Sequence, residues 1–306
     1  MPPAPRTSRP SPPSRFDRRF ARVFAWYSLR MLRREFHAVR MLRGDQEILA
    51  AIAEVPSPVI VLVNHPSWWD PLVALALAWK FMPQRTPCGP MDAAQLRRFG
   101  FFRRLGIFGV ELEDARCHDD QDDDGAGNGG PDGGRAHRRH GEHGGAAALA
   151  ELLARVDERF SSDALPALWI TPQGRFSDAR EPIRIRPGAA AVAAAHPGCR
   201  VAVANIEYAF WQDRRPEVFV ACRAIAPPSG ASSDGAPGRV GTTAWHRAMR
   251  LAMQANADRL AEAVVARDPA AFDLLIGGGS TRIQPIYDLW LRLRGRGGEI
   301  IARREP

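Results

Sequence analysis

Apolar runs and turn-rich segments alternate along most of the chain. Some runs are short and rich in branched residues, which is typical of strands. They are 58–63, a short run near 85–89, 106–112, 166–171, 200–207 and 217–224. Longer segments between them are typical of helices, namely 71–81, 92–105, 146–160, 188–195 and 241–267. This alternation predicts an α/β fold with a mixed, largely parallel central sheet flanked by helices.

Residues 15–43 predict one long basic amphipathic helix at the N-terminal side of this pattern. Large apolar side chains recur there in steps of three and four, at Phe16, Phe20, Val23, Phe24, Tyr27, Met31 and Phe36. Many arginines share the stretch with only Asp17 and Glu35. A basic helix with aromatic side chains is typical of a membrane interface, so we expect 15–50 to associate with a membrane. The alternative is a helix that packs on its own domain with its arginines in solvent.

Low-complexity segments predict the domain boundaries. Residues 1–14 are rich in Pro, Ser and Arg, and 113–145 are rich in Gly and Asp, so both are expected to be disordered. The histidines of 113–145 fit no ligand spacing, and no metal is expected. The α/β domain is therefore predicted at 51–225, followed over 226–306 by a linker (226–240) and a C-terminal helical segment. The tail 283–296 is a second short basic amphipathic stretch.

The charge balance indicates an anionic partner. The formal net charge is +8, and Lys80 is the single lysine, so arginine carries nearly all of the cationic chemistry. Charge alone does not choose between nucleic acid, an anionic membrane and a phosphorylated substrate. The four cysteines form no CxxC pair, and no apolar stretch approaches the ~20 residues of a membrane span. We expect a cytoplasmic protein, peripheral on the inner face of the cell membrane.

The first candidate for chemistry is the sequence NHPSWWD at 64–70, between a predicted strand and a predicted helix. In open α/β sheets, ligands bind beyond the carboxyl ends of the strands, where His65 falls. A neutral imidazole accepts a proton from a hydroxyl more effectively when a carboxylate such as Asp70 orients it. The alternative is structural, because Ser67 and Asp70 followed by Pro71 are also typical of a helix start.

A second loop, TPQGRFS at 171–177, also follows a predicted strand. Gly174 lets the backbone approach a ligand closely, and Arg175 beside it has the chemistry to bind phosphate or carboxylate. Arg186 follows within RIRPGAA at 184–190. The alternative is a surface turn with ordinary solvent-exposed arginines.

Taken in order, the two loops resemble the motifs of the glycerolipid acyltransferase superfamily. NHPSWWD fits the first motif, Asn-His-x-x-x-x-Asp. TPQGRFS resembles the third motif, Phe-Pro-Glu-Gly-Thr-Arg-Ser, but has Gln173 in place of Glu, and its Arg175 stands one place early. Arg186 falls at the lysine of the family's Phe-Lys-x-Gly segment. The resemblance spans about 55–225.

The resemblance implies transfer of a fatty acyl group to a hydroxyl of a lipid acceptor. His65 would be the general base and Asp70 would orient it. Residues expected to bind substrate are Ser67, Pro172, Gln173, Gly174, Arg175, Ser177 and Arg186. An acyl-CoA or acyl-ACP thioester would be the co-substrate, with no bound cofactor and no covalent acyl-enzyme, since the thioester is already activated.

Two departures from the family pattern leave alternatives open. In the family's second motif an arginine usually binds the acceptor phosphate, but GIFGVELED at 106–114 has Leu112, Glu113 and Asp114 there. An acceptor without a phosphate, such as a glycolipid or a glycosylated terpenoid, is therefore an alternative. The segment 201–211 lacks the proline of the fourth motif. A hydrolase in which the same pair activates water is a further alternative, although the sequence has no GxSxG nucleophile motif. A non-catalytic basic membrane or nucleic-acid binding protein would explain the arginines but not the two ordered loops. We expect no nucleic-acid partner.

Overall fold

The structure is a computed structural model that describes residues 16–111, 133–229, 240–278 and 294, with the backbone alone for 133–144. Several expectations fall largely or wholly outside these ranges. They concern the disorder of 1–14, the residues Leu112, Glu113 and Asp114, the linker 226–240, and the tail 283–296.

Within the described ranges, eight strands form one sheet. They are β1 (Ala38–Leu42), β2 (Val59–Val63), β3 (Thr86–Asp92), β4 (Ile107–Val110), β5 (Pro166–Ile170), β6 (Arg200–Ala209), β7 (Glu217–Ile225) and β8 (Phe272–Gly277). Their order is β4-β3-β5-β2-β6-β7-β1-β8. The pairs β6–β7 and β1–β8 are antiparallel and the others are parallel. The predicted mixed, largely parallel α/β fold is confirmed.

Helices cover both faces of this sheet. They are α1 (Arg18–Glu35), α2 (Asp45–Ala53), α3 (Asp70–Phe81), α4 (Ala93–Arg98), α5 (Gly133–Ser162), α6 (Gly188–Ala195) and α7 (Thr242–Ala266). Strand β2 is buried along its whole length, as is usual for a parallel strand covered on both faces. Its valines pack with side chains of α1, α2 and α3, whereas Ile60 and Leu62 pack with those of α5, α6 and α7.

The N-terminal helix is shorter than the sequence predicts. Helix α1 ends at Glu35, Phe36 is extended, and the next residues form β1 between β7 and β8. A left-handed turn at Gly44 (φ +84°) then leads into α2. The apolar periodicity continues past residue 36, but pairing on both edges of β1 outweighs helical propensity. The predicted single helix over 15–43 is therefore wrong beyond Glu35.

Other boundaries also differ from the sequence expectation. The predicted helix 92–105 is broken at Phe99 (φ −115°, ψ 60°) into α4 and a 3₁₀ helix, Gly100–Leu105. Helix α5 starts at Gly133, so part of the expected disordered insertion 113–145 has a helical backbone. Once nucleated, a helix extends by one hydrogen bond per residue without an apolar pattern to mark it.

The sheet reaches beyond the range 51–225 on both sides of the chain. Strand β1 precedes that range, and β8, which the sequence pattern did not reveal, follows it. Helix α7 is bound to β7 and α2 through an ion pair whose carboxylate is buried. The guanidinium of Arg259 donates to both carboxylate oxygens of Asp45, at 3.1 and 2.7 Å, and the Cys222 N–H donates to the same carboxylate at 2.6 Å. Asp45 is 2% exposed.

Helix α1 packs mainly on α3 through its buried side chains, most of which are small. Its buried residues are Ala21, Ala25, Ser28 and Leu32. Val23, Trp26 and Tyr27 are instead 64%, 63% and 47% exposed. Within the described ranges, no helix combines the length and the apolar content needed to cross a bilayer.

Candidate active site

The first loop brings His65 and Asp70 together. His65 lies two residues after β2 ends, and Asp70 is the first residue of α3. The Nδ1 atom of His65 is 2.8 Å from Oδ2 of Asp70. The Asp70 side chain is 2% exposed and the His65 side chain 19% exposed. The carboxylate is thus enclosed behind an imidazole that remains open to solvent.

Asp70 also holds the turn that carries it. The Ser67 N–H donates to Asp70 Oδ2 at 2.9 Å, and Ser67 Oγ accepts from the Trp69 N–H at 3.3 Å. The two interpretations of this loop, helix start and His–Asp pair, are therefore compatible. One carboxylate oxygen closes the turn and accepts from the imidazole.

Tyr208 is a third partner of Asp70 that the sequence did not reveal. Its hydroxyl donates to Asp70 Oδ1 at 2.7 Å. Burial raises the pKa of the Tyr208 phenol well above its usual value, and the negative charge of Asp70 raises it further. The phenol therefore stays protonated and remains a donor. The sequence showed only a tyrosine near the end of an apolar strand. Its contact with Asp70 becomes predictable only when β6 is known to pair with β2.

Asn64 fixes the direction in which the first loop leaves the sheet. Its side-chain amide donates to the Ile206 carbonyl at 2.9 Å and accepts from the Ile206 N–H at 2.7 Å. The side chain thus mimics one more step of the β2–β6 ladder beyond Val63. Asn64 is 2% exposed, so both of these bonds form away from water.

The second loop, after β5, is bound to the first. Gln173 Oε1 accepts from the His65 N–H at 3.0 Å, and Gln173 Nε2 donates to Ser177 Oγ at 2.5 Å. The Ser177 N–H in turn donates to the His65 carbonyl at 3.0 Å. Gln173 and Ser177, expected to bind substrate, lie at the site, but these hydrogen bonds fasten the two loops together around His65.

Phe176 packs on the imidazole. Its ring centroid lies 4.1 Å from that of His65, with 31° between the planes, and Phe176 is 57% exposed. Arg175, next to it, has its guanidinium 2.6 Å from a carboxylate oxygen of Glu181. The residue of this loop that contacts the imidazole ring is therefore an aromatic one rather than a cation.

Gly174 and Arg186 are in close contact. Gly174 has φ +69°, and a Cβ there would lie 2.8 Å from Nε of Arg186. Glycine is thus required both for the backbone conformation and for the approach of the guanidinium. The Arg186 N–H donates to the carbonyl of Pro172 at 2.7 Å, which holds the arginine segment against the loop.

An apolar cleft of about 270 Å³ lies under α1, close to the site. Its lining includes Leu29, Leu32, Val39, Val73, Ala76, Leu77 and Ile276, together with the cationic Arg33 and Lys80. Near the carboxyl end of α1, Phe36 contacts Trp69 and Tyr208, with ring centroids 5.3 and 5.6 Å apart. Phe36 is four residues from Leu32 and Trp69 is four residues from Val73, about one helical turn in each case. The aromatic cluster therefore lies beside the cleft, on the side of Asp70.

Among the residues whose side chains the structure describes, no group of three or more His, Cys, Asp or Glu side chains is placed to hold a metal ion. The histidines of the segment 113–145 fall outside those residues. The described groups with acid–base chemistry at this site are the imidazole and its carboxylate.

The fold is an open α/β sheet, and its histidine–carboxylate pair lies beyond the carboxyl end of a central strand, where ligands bind in sheets of this class. No family model matches the sequence, and no curated protein is significantly similar to it. A similar solved structure is the 1-acyl-sn-glycerophosphate (LPA) acyltransferase PlsC from Thermotoga maritima. It is 14% identical, with a TM-score of 0.45, over 82% of this chain and 81% of that chain. The geometry of the site, rather than this likeness, carries the assignment of chemistry.

Proposed function

We propose that this protein is an O-acyltransferase, which moves a fatty acyl group from acyl-CoA or acyl-ACP to a hydroxyl of a lipid acceptor. The observation that carries the proposal is the 2.8 Å contact between His65 Nδ1 and Asp70 Oδ2. Asp70 is in turn held by the Tyr208 hydroxyl and the Ser67 N–H. The resemblance of both loops to the acyltransferase motifs supports the choice of reaction.

In the proposed reaction, Asp70 accepts the Nδ1–H of His65 and leaves Nε2 as the basic nitrogen. The acceptor hydroxyl gives its proton to Nε2 while its oxygen attacks the thioester carbonyl. A carbon–oxygen bond forms, and the carbon–sulfur bond breaks when the tetrahedral intermediate collapses. The thiolate leaves and takes the proton from the imidazolium, which returns His65 to its starting state.

The donor would lie across both loops. The guanidinium of Arg186 lies against the backbone of Gly174. There it would bind the phosphates of a CoA or carrier-protein arm through charged hydrogen bonds. The cleft lined by α1 and α3 would receive the acyl chain, because most of its lining side chains are apolar and its two cations, Arg33 and Lys80, complement an anionic donor. Its volume of about 270 Å³ is near the lower end of the range for ligand pockets.

We also propose that an anionic membrane surface is the place where the lipid acceptor is met. Helix α1 exposes Val23, Trp26 and Tyr27. Phe24 beside them contacts Phe101 of the 3₁₀ helix, with ring centroids 5.7 Å apart. Arginines flank the aromatic side chains on α1, at positions 18, 19, 22, 30 and 33. Aromatic side chains with flanking arginines are the composition of an interfacial helix, and an anionic headgroup complements their charge.

The test of the enzymatic proposal is thiol release from palmitoyl-CoA by the purified protein, with and without lipid acceptors. We expect acceptor-dependent release that falls by at least about 10³-fold in His65→Ala, because the reaction loses its base. His196→Ala is the matched control. His196 follows α6 and precedes β6, so it lies at the amino end of that strand, whereas the site lies beyond the carboxyl end of the parallel strand β2. Near-wild-type transfer by His65→Ala would overturn the mechanism.

Two further outcomes have defined meanings. Acceptor-independent release that is lost in His65→Ala would identify a hydrolase in which the same pair activates water. Absence of release from both acyl-CoA and acyl-ACP would favour a non-catalytic membrane-binding protein.

A further inference from the structure

The two arginines on either side of Phe176 in sequence are each paired with a carboxylate. Arg175 is paired with Glu181 at 2.6 Å. Arg180 donates through two nitrogens, at 2.6 and 3.0 Å, to one carboxylate oxygen of Glu207. Glu207 is 5% exposed, so its negative charge depends on Arg180 and would be costly to leave unpaired.

This pairing matters for an acceptor that carries a phosphomonoester. Such a group has a charge of about −1.5 to −2 at pH 7 and needs cations that are free to bind it. Near Arg175 and Arg180 it would meet the carboxylates of Glu181 and Glu207, and like charges repel. Arg186 has no acidic partner in the described part of the chain, and the proposal above assigns it to the donor.

The side chain that contacts the imidazole is apolar. Phe176 lies on the His65 ring at 4.1 Å and is more than half exposed. It stands at the position where the motif this loop resembles has its arginine. An aromatic face packs well against the C–H groups of a sugar ring or polyol. In that arrangement the hydroxyl groups of the sugar or polyol point away from the aromatic face, toward its edge. Trp68, 61% exposed in the first loop, adds a second exposed aromatic surface.

We infer that the acceptor of the acyl transfer proposed above carries its reacting hydroxyl on a neutral glycosyl or polyol head group, which packs on Phe176. An uncharged head group needs no cation to bind it, so Arg175 and Arg180 stay paired with their carboxylates. Its hydroxyl reaches His65 Nε2 from the edge of the stacked rings. Phe176 is thus the residue that determines acceptor specificity at this site.

The experiment compares acceptors that differ in the phosphate. Dodecyl glucoside, a monoacylglycerol and a lysophosphatidate with the same acyl chain as the monoacylglycerol are each given with palmitoyl-CoA, and kcat/KM is measured for each. We expect kcat/KM for at least one neutral acceptor to exceed that for the lysophosphatidate by about tenfold or more. This factor corresponds to the free energy of one hydrogen bond to a charged group. Equal rates, or a faster reaction with lysophosphatidate, would overturn the inference while leaving the acyltransferase proposal intact.

Variants of Phe176 give an independent readout. Phe176→Arg should raise the ratio of kcat/KM for lysophosphatidate to that for the neutral acceptor by about tenfold, because it adds an unpaired cation. Phe176→Leu keeps an apolar side chain without the aromatic face, and should raise KM for the neutral acceptor without raising that ratio. An unchanged ratio in Phe176→Arg, with the far-UV circular dichroism of the wild type, would overturn the inference. Absence of transfer to every acceptor would overturn the acyltransferase proposal and this inference together.

Discussion

The carboxylate of Asp70 is bound by three groups. One oxygen accepts from the Ser67 N–H and the His65 imidazole, and the other accepts from the Tyr208 hydroxyl. A carboxylate bonded at both oxygens cannot rotate away from the imidazole without leaving a buried donor unpaired. The orientation of His65 is therefore set by residues of β6 as well as by its own loop.

Tyr208→Phe tests this arrangement. It removes the donor to Asp70 Oδ1 but keeps the ring contact with Phe36. We expect kcat to fall by about 10–100-fold, the usual effect of losing a group that orients a catalytic side chain. KM for the thioester should change little, since Tyr208 is not expected to touch the donor. A kcat within twofold of wild type would show that Ser67 alone is enough to hold Asp70.

The same variant makes the pH dependence of stability testable. Burial and the charge of Asp70 raise the pKa of Tyr208 in the folded protein above its ordinary value of about 10. The stability that Tyr208 contributes is thus fully present below about pH 10 and is lost as pH rises above it, where the unfolded phenol ionises and the folded one does not. In urea denaturation, the excess stability of wild type over Tyr208→Phe should be constant near pH 8 and smaller near pH 10.5. An equal difference at both pH values would contradict the raised pKa.

The candidate pair was predictable from sequence, and its supports from distant parts of the chain were not. His65 and Asp70 stand five positions apart in one loop, so a single turn brings them together. Tyr208 lies 138 residues from Asp70, and its role depends on the pairing of β6 with β2. In the same way, the two ordered motifs identified both loops. They did not indicate that Gln173 would use its amide to bind the backbone of His65.

At the scale of the element, α1 presents two different surfaces. Small residues pack on the domain, and large aromatic residues are exposed beside arginines. Trp26→Ser should weaken binding to anionic vesicles by about tenfold, because it removes a large side chain that the interface would bury. Co-sedimentation with phosphatidylglycerol-containing and pure phosphatidylcholine vesicles, at low and high salt, measures this effect.

Leu251→Ser is the matched control for that prediction. Leu251 is 48% exposed on α7, on the face of the sheet opposite α1. Its replacement should leave vesicle binding unchanged. If both variants bind as wild type does, or if binding is insensitive to salt and to anionic lipid, α1 is not the surface that contacts the membrane.

The length of α1 illustrates what sequence periodicity does not reveal. Phe36, Val39 and Met41 continue an apolar pattern, yet the last two lie in β1, paired with β7 and β8. Whether such a segment is a helix or a strand is decided by partners far away in sequence. The central helices and strands were placed closely because each has its own apolar run bounded by turns, as in α6, predicted and found at 188–195.

At the scale of the whole molecule, the ion pair of Asp45 and Arg259 joins α2 to α7. The Asp45 carboxylate also accepts from the Cys222 N–H, which connects the pair to β7. Arg259→Met would leave the carboxylate of Asp45 buried without its cation. We expect a loss of about 3 kcal/mol in the free energy of unfolding, measured by urea denaturation. Arg250→Met, at an exposed position of the same helix, should have little effect.

A double variant separates charge from packing in that prediction. Adding Asp45→Asn to Arg259→Met removes the unpaired charge, so part of the lost stability should return. If Arg259→Met is as stable as wild type, the pair contributes nothing to the connection between these helices.

The position of β1 has a consequence for the order of events in folding. Val39 pairs with Val218, and β8, which covers the other edge of β1, does not begin until Phe272. Of the eight strands that the structure describes, β1 is made first during synthesis, but its partners on both sides leave the ribosome much later. Such non-local pairing slows folding, and until it is complete an apolar strand edge stays open to association with other chains. The slowest step of folding in this protein should therefore be the docking of its earliest strand.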